Sequence, residues 1–96
     1  MRDAGTAVHV TISGRVQGVW FRGWTCEQAR ELGLTGWVRN LGYEQVEAVA
    51  EGGRAALEEF AQAVQSGPRG SHVEDARVEW ETPTGEFRWF EVEHSV

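Results

Sequence analysis

From Ala7 to Ser13 the apolar residues Val8, Val10 and Ile12 alternate with His9, Thr11 and Ser13, the period-two pattern of a strand with one buried face. A glycine-punctuated stretch, Gly14 to Val19, follows. Phe21, Thr25, Ala29 and Leu32 then recur at helical spacing up to Gly33, which stands where a left-handed C-terminal residue is wanted, with Leu34 placed to fold back on the last turn as in a Schellman ending. Leu34 to Leu41 reads as a second strand around Trp37 and Val38. Val46 to Glu51 reads as a third with Val46, Ala48 and Ala50 on one face, joined to the second by a hairpin at Gly42 to Gln45.

After Gly52 and Gly53, the residues Leu57, Phe60, Ala61 and Val64 form one stripe of a second helix that stops around Ser66, Gly67 and Pro68. Its other face carries Glu58, Glu59 and Gln62. Val73 to Trp80 alternates again, and a last strand runs from Phe87 to about Glu93, with Pro83, Thr84 and Gly85 turning the chain between the two. Each helix has only one apolar stripe, so the simplest packing sets both on one face of an antiparallel sheet. The expected fold is an α+β, ferredoxin-like split βαβ sandwich.

Length and charge bound what this fold can do. The 96 residues suffice for one domain and one core, residues 1–96, with Met1 to Thr6 expected to fray. Fifteen acidic against nine basic residues give a formal charge of −6, which repels nucleic acid and acidic membranes, so an anionic ligand has to be gripped locally. The single cysteine, Cys26, forms no internal disulfide and reads as a small packing residue. With no apolar run long enough for a signal or membrane helix, the expected setting is the cytoplasm, and the acidic surface favours a monomer.

The chemistry concentrates between the first strand and the first helix. Gly14 and Gly18 allow the backbone to turn so that several N–H groups point into one hollow at a helix N-terminus, which suits an anion. Arg22, one turn into the helix, supplies a permanently charged fork for phosphoryl oxygens. A nucleotide-type phosphate loop needs Lys and Ser or Thr after its last glycine, where this chain has Val19 and Trp20. A cysteine phosphatase needs its nucleophile at the start of such a loop, at the position of Val16.

The run Gly14-Arg15-Val16-Gln17-Gly18-Val19-Trp20-Phe21-Arg22 resembles the acylphosphatase signature, and Gly33-Leu34-Thr35-Gly36-Trp37-Val38-Arg39-Asn40 resembles that family's second block. The likeness extends more loosely through Val46 to Gly52, the second helix, Gly70 to Val73 and Phe90 to Val92. It implies the sandwich fold and hydrolysis of the carboxyl-phosphate bond of a small acyl phosphate without a metal or other cofactor. Position by position, it implies that Arg22 binds the phosphate, that Asn40 orients the attacking water, and that Arg15, Val16, Gln17, Gly18 and Val19 supply cradle amides. Tyr43 and Glu44 depart from the family's Asp-Gly hairpin, and Gly23 and Trp24 are unusual early in the helix.

Two residues suffice for such a reaction because the leaving carboxylate has a conjugate acid of pKa about 4 and departs without a proton donor. What remains is charge neutralisation and the positioning of water. Other readings fare less well. A phosphate-sensing module would not require Asn40. RNA recognition would require stacking aromatics, where His9, Thr11, Ser13, Glu47, Val49 and Glu51 stand on the open face. A larger maturation enzyme using carbamoyl phosphate would carry zinc-finger cysteines and further domains. His9, His72 and His94 are scattered and read as surface or turn residues, with no metal-ligand spacing. Trp37 and Trp80 read as packing, while Trp20 and Trp24 flank the cradle, either as further packing residues or as the shape of its mouth.

Overall fold

A computed structural model describes residues 5–17 and 20–95. In chain order the elements are β1 (Thr6–Arg15), α1 (Phe21–Glu31), β2 (Thr35–Leu41), β3 (Gln45–Gly52), α2 (Arg54–Ser66), β4 (His72–Glu81) and β5 (Phe90–Val92). The strands form one sheet in the order β4-β1-β3-β2-β5. The four longer strands pair antiparallel, as in a split βαβ sandwich.

Alternation sets the two faces. Val8, Val10 and Ile12 of β1, Val46, Ala48 and Ala50 of β3 and Val38 of β2 all point into one core. There they meet Phe21, Cys26 and Ala29 of α1 and Leu57, Phe60 and Val64 of α2. The opposite face of β1 and β3 carries His9, Thr11, Glu47 and Val49, in direct register. Helix α1 ends as its sequence suggests: Gly33 takes φ 71°, its N–H donates to the Arg30 carbonyl (3.1 Å), and the Leu34 N–H reaches back to Ala29 (2.9 Å). This is the paired hydrogen bonding of a Schellman ending.

The sheet differs from the all-antiparallel expectation at one edge, where β5 runs parallel to β2. The reason lies in the crossover before it. β4 finishes at the end of the sheet where β2 begins, since Ala7 faces both Glu81 and Glu51, and Glu51 in turn faces Thr35. A chain carried along that end enters β5 in the direction of β2. Glu51, only 6% exposed, catches the crossover midway: its carboxylate accepts from the Thr84 N–H (2.8 Å), the Thr84 hydroxyl (2.9 Å) and the Gly85 N–H (3.0 Å). Phe87 and Trp89 belong to this crossover, so β5 is shorter than the alternation implies.

Two smaller differences follow from pairing. Thr6 is part of β1, its hydroxyl donating to the Glu81 carbonyl at 3.2 Å, so the expected fraying does not reach it; residues 1–4 lie outside the described residues. His9 is no isolated surface histidine, because its ring nitrogen lies 2.7 Å from the Glu47 carboxylate, which also binds Arg39 at 2.9 Å. Among the described residues, no helix is long and apolar enough to cross a membrane.

Candidate phosphate site

The end of the sheet where β1 runs into α1 is also where β2 runs into β3, because Ser13 faces Gln45 and Gln45 faces Leu41. The two sequence blocks singled out above therefore converge on one edge of the core. The register of β1 on β4 shifts between Ser13 and Gly14. At this bulge Gly14 adopts φ 130° and passes so close to β4 that any side chain would overlap the His72 carbonyl oxygen. Its N–H turns to the hairpin and donates to the Glu44 carbonyl at 3.0 Å.

The cradle residues divide by role. Arg15 is the last residue of β1, opposite His72, and borders a hollow with Ser71, His72 and Glu74. Val16 is fully buried and anchors the loop in the core. Gln17 reaches the neighbouring hairpin, its side-chain nitrogen donating to the Gly42 carbonyl (3.1 Å) and the Gln45 carbonyl (2.9 Å). Gly18 and Val19 lie outside the described residues. The loop is thus tied at both its first and its fourth residue to the turn that follows Asn40.

Helix α1 opens in an unusual way. Its N-cap is Trp20, at φ 61° and ψ 27°, and among the described residues no side chain caps the first turn. Serine, threonine, aspartate or asparagine normally does so, since the first N–H groups of a helix have no partner within it. No acidic residue stands in the first turn either, and Arg22 puts a cation there, the unfavourable sign for the helix dipole by about 0.3 to 1 kcal/mol. Uncapped N–H groups beside a guanidinium are the arrangement that a bound anion stabilises. Arg22 is half-buried, and among the described residues no carboxylate pairs with it. It borders a hollow walled by Glu91, Val92, Glu93 and His94.

Asn40 is the penultimate residue of β2. It faces Val46 across the β2–β3 pair and so lies on the helix-covered side of the sheet. Its side-chain oxygen Oδ1 is buried and, among the described residues, has no hydrogen-bond partner. Leaving a buried amide oxygen unpaired costs about 1 to 3 kcal/mol, so such an atom calls for an explanation. The Thr25 hydroxyl, one turn beyond Arg22, is buried and unpartnered in the same sense.

Sequence reasoning placed Arg22 and Asn40 at this edge but overlooked the Gln17 side chain, which had been read only for its backbone amide. The available signal was chemical: a primary amide offers two donors and can bridge two carbonyl oxygens. It also noted Gly23 only as unusual so early in the helix. In the structure a side chain on Gly23 would overlap the Trp20 indole, which rests against the first turn of α1. Tyr43 and Glu44 sit in the hairpin turn, with Tyr43 95% exposed and the turn held from the loop side by Gln17 and Gly14. Cys26 is buried, as expected, and donates to the Phe90 carbonyl at 3.6 Å.

Comparison with known proteins sets the sequence beside one family. The sequence model described as Acylphosphatase matches residues 8–92. A protein of Roseiflexus sp. (strain RS-1) named acylphosphatase is 52% identical over 92 residues, covering 96% of this chain and 98% of that one. Among solved structures, an acylphosphatase from Coxiella burnetii superposes with a TM-score of 0.86 at 39% identity, over 93% of each chain. The acylphosphatase from Bacillus subtilis gives a TM-score of 0.87 at 34% identity, over 92% of this chain and 98% of that one.

Proposed function

The chain belongs to the acylphosphatase family, and from that premise we propose that Arg22 and the amides of the β1–α1 loop hold the phosphoryl group of an acyl phosphate while Asn40 orients the water that attacks it. The observation that carries this reading is the pairing of two unsatisfied features at one end of the sheet. One is the N-terminus of α1 beside the Arg22 cation, which among the described residues has no side-chain cap; the other is the buried Oδ1 of Asn40, which among the described residues has no partner.

In this mechanism the helix N-terminus and the guanidinium neutralise the phosphoryl oxygens, a role that in other phosphoryl-transfer enzymes falls to a metal ion. The bond between phosphorus and the carboxylate oxygen breaks as the water oxygen bonds to phosphorus. The carboxylate leaves unprotonated, and the water proton passes to a phosphate oxygen of the substrate. Asn40 is no base; its Oδ1 accepts from the water and fixes the direction of attack. Arg15, Val16, Gln17, Gly18 and Val19 are taken to contribute through their backbone amides.

The reading includes a cytoplasmic monomer with no nucleic-acid partner. The net charge of −6 supports it. So does the open sheet face, where the Arg39 guanidinium lies 4.5 Å from the centre of the Trp37 ring and acidic Glu47, Glu79 and Glu81 surround His9. The test is release of inorganic phosphate from acetyl phosphate with a chelator present. Chelator-resistant turnover well above the spontaneous rate is expected, and activity that disappears with the chelator overturns the metal-free mechanism.

A further inference from the structure

Trp20 is the one non-glycine residue with positive φ among the described residues. A bulky residue in this conformation is a genuine outlier, and such outliers collect at functional sites. The indole it carries is 63% exposed, so burial in the core does not account for it. Instead it is laid against the backbone of the first turn of α1, over Gly23, where a methyl group would overlap the ring atoms Nε1, Cδ1 and Cε2. Gly23 is a poor helix residue in its own right, and its lack of a side chain is what admits the ring. Two locally unfavourable choices thus cooperate to hold one aromatic surface in place, on either side of Arg22.

We propose that the Trp20 indole is the acyl-group platform of the active site and biases the enzyme toward acyl phosphates with a planar, apolar acyl group. The inference rests on the phosphate site described above. A phosphoryl group at the N-terminus of α1 has Trp20, the N-cap residue, as its neighbour, so an acyl group that leaves the cradle on that side meets the indole. An indole face fixed there offers stacking to a flat acyl group and little to a methyl. Phosphate recognition and acyl recognition are thereby divided between Arg22 and Trp20.

The test compares kcat/KM for benzoyl phosphate and acetyl phosphate in the wild type and three variants. Trp20→Gly keeps the backbone conformation available while removing the ring, Gly23→Ala displaces the ring while keeping it, and Trp20→Phe retains an aromatic surface. The benzoyl-to-acetyl ratio is expected to fall about tenfold in Trp20→Gly and Gly23→Ala, and to stay within about threefold of wild type in Trp20→Phe. Inhibition by inorganic phosphate reports whether the cradle survives each change. A ratio in Trp20→Gly within about twofold of wild type overturns the platform while leaving the phosphate site standing. Failure of the wild type to hydrolyse either substrate overturns both.

Discussion

Gln17 is joined to Gly42 across the gap between the β1–α1 loop and the β2–β3 hairpin, its side-chain nitrogen donating to the Gly42 carbonyl oxygen at 3.1 Å. The same nitrogen donates to Gln45 at 2.9 Å, so a single amide spans both sides of the turn. Gln17→Ala is expected to lower stability by about 1 kcal/mol and kcat/KM by about tenfold, because Asn40 and the cradle lose their common tether. Denaturant midpoints and steady-state kinetics read the two effects. Unchanged kinetics would show that the tether is structural only.

Asn40 and Arg22 should separate in kinetics. Asn40→Ala is expected to reduce kcat by about a thousandfold while inhibition by inorganic phosphate changes by less than about threefold, since only water positioning is lost. Arg22→Ala should weaken both. Arg22→Lys should not restore activity, because a point charge does not reproduce the planar fork. If Asn40→Ala abolished phosphate binding as well, the division of labour would be wrong.

Gly36 tests how closely β2 and β3 approach. It is buried at φ 140°, and a side chain there would run into the Val49 carbonyl. Gly36→Ala should cost about 3 kcal/mol or more, combining backbone strain with a displaced strand pair. A urea midpoint equal to wild type would contradict the packing.

Acid should unfold the protein partly through two glutamates. Burial pushes Glu47 up, but hydrogen bonds from His9 and Arg39 outweigh it and hold the carboxyl below its ordinary value of 4.5. Glu51 behaves alike: burial raises it, and the bonds from Thr84 and Gly85 bring it below the same value. With folded-state values below the unfolded ones, their contribution is present above about pH 4.5 and lost as pH falls through the folded-state pKa. Glu47→Gln and Glu51→Gln should lower stability at pH 7 and flatten its decline below about pH 4.5. Far-UV circular dichroism along an acid titration reads this, and a slope unchanged in both variants would refute it.

Cys26 should be inert in the folded state. Burial pushes its thiol up, against a smaller opposing pull from Arg30, and leaves little thiolate at neutral pH. Iodoacetamide should label it slowly in buffer and fully in urea. Rapid labelling of the native protein would place the sulfur at the surface.

Much of this architecture was legible because it is local. The stripe Leu57, Phe60, Ala61 and Val64 is buried along α2, and the glycine that closes α1 makes the bonds its position suggests. Arg22 and Asn40 were legible only through the two sequence blocks, since neither stands out from its helix or strand by periodicity. The direction of β5 was not legible, because it depends on where β4 ends relative to the start of β2 and on a crossover that Glu51 holds at Thr84, far away in the chain. The Gln17 bridge was hidden for the same reason. Gly23 was visible, but its purpose depends on where the Trp20 ring lies.

The parallel pairing of β5 has a consequence for proteolysis. Its few residues, Phe90–Val92, are what shields the outer edge of β2, and Phe90 also packs edge-on against Phe60 of α2. A cut in the exposed stretch around Thr84 to Glu86 would leave that short segment held by these contacts and by the bonds that Arg30 and Cys26 of α1 donate to the Phe90 carbonyl, with no chain connection to β4. Its departure would bare the backbone of Gly36, Trp37 and Val38, a ready template on which another copy could add a strand and begin to aggregate.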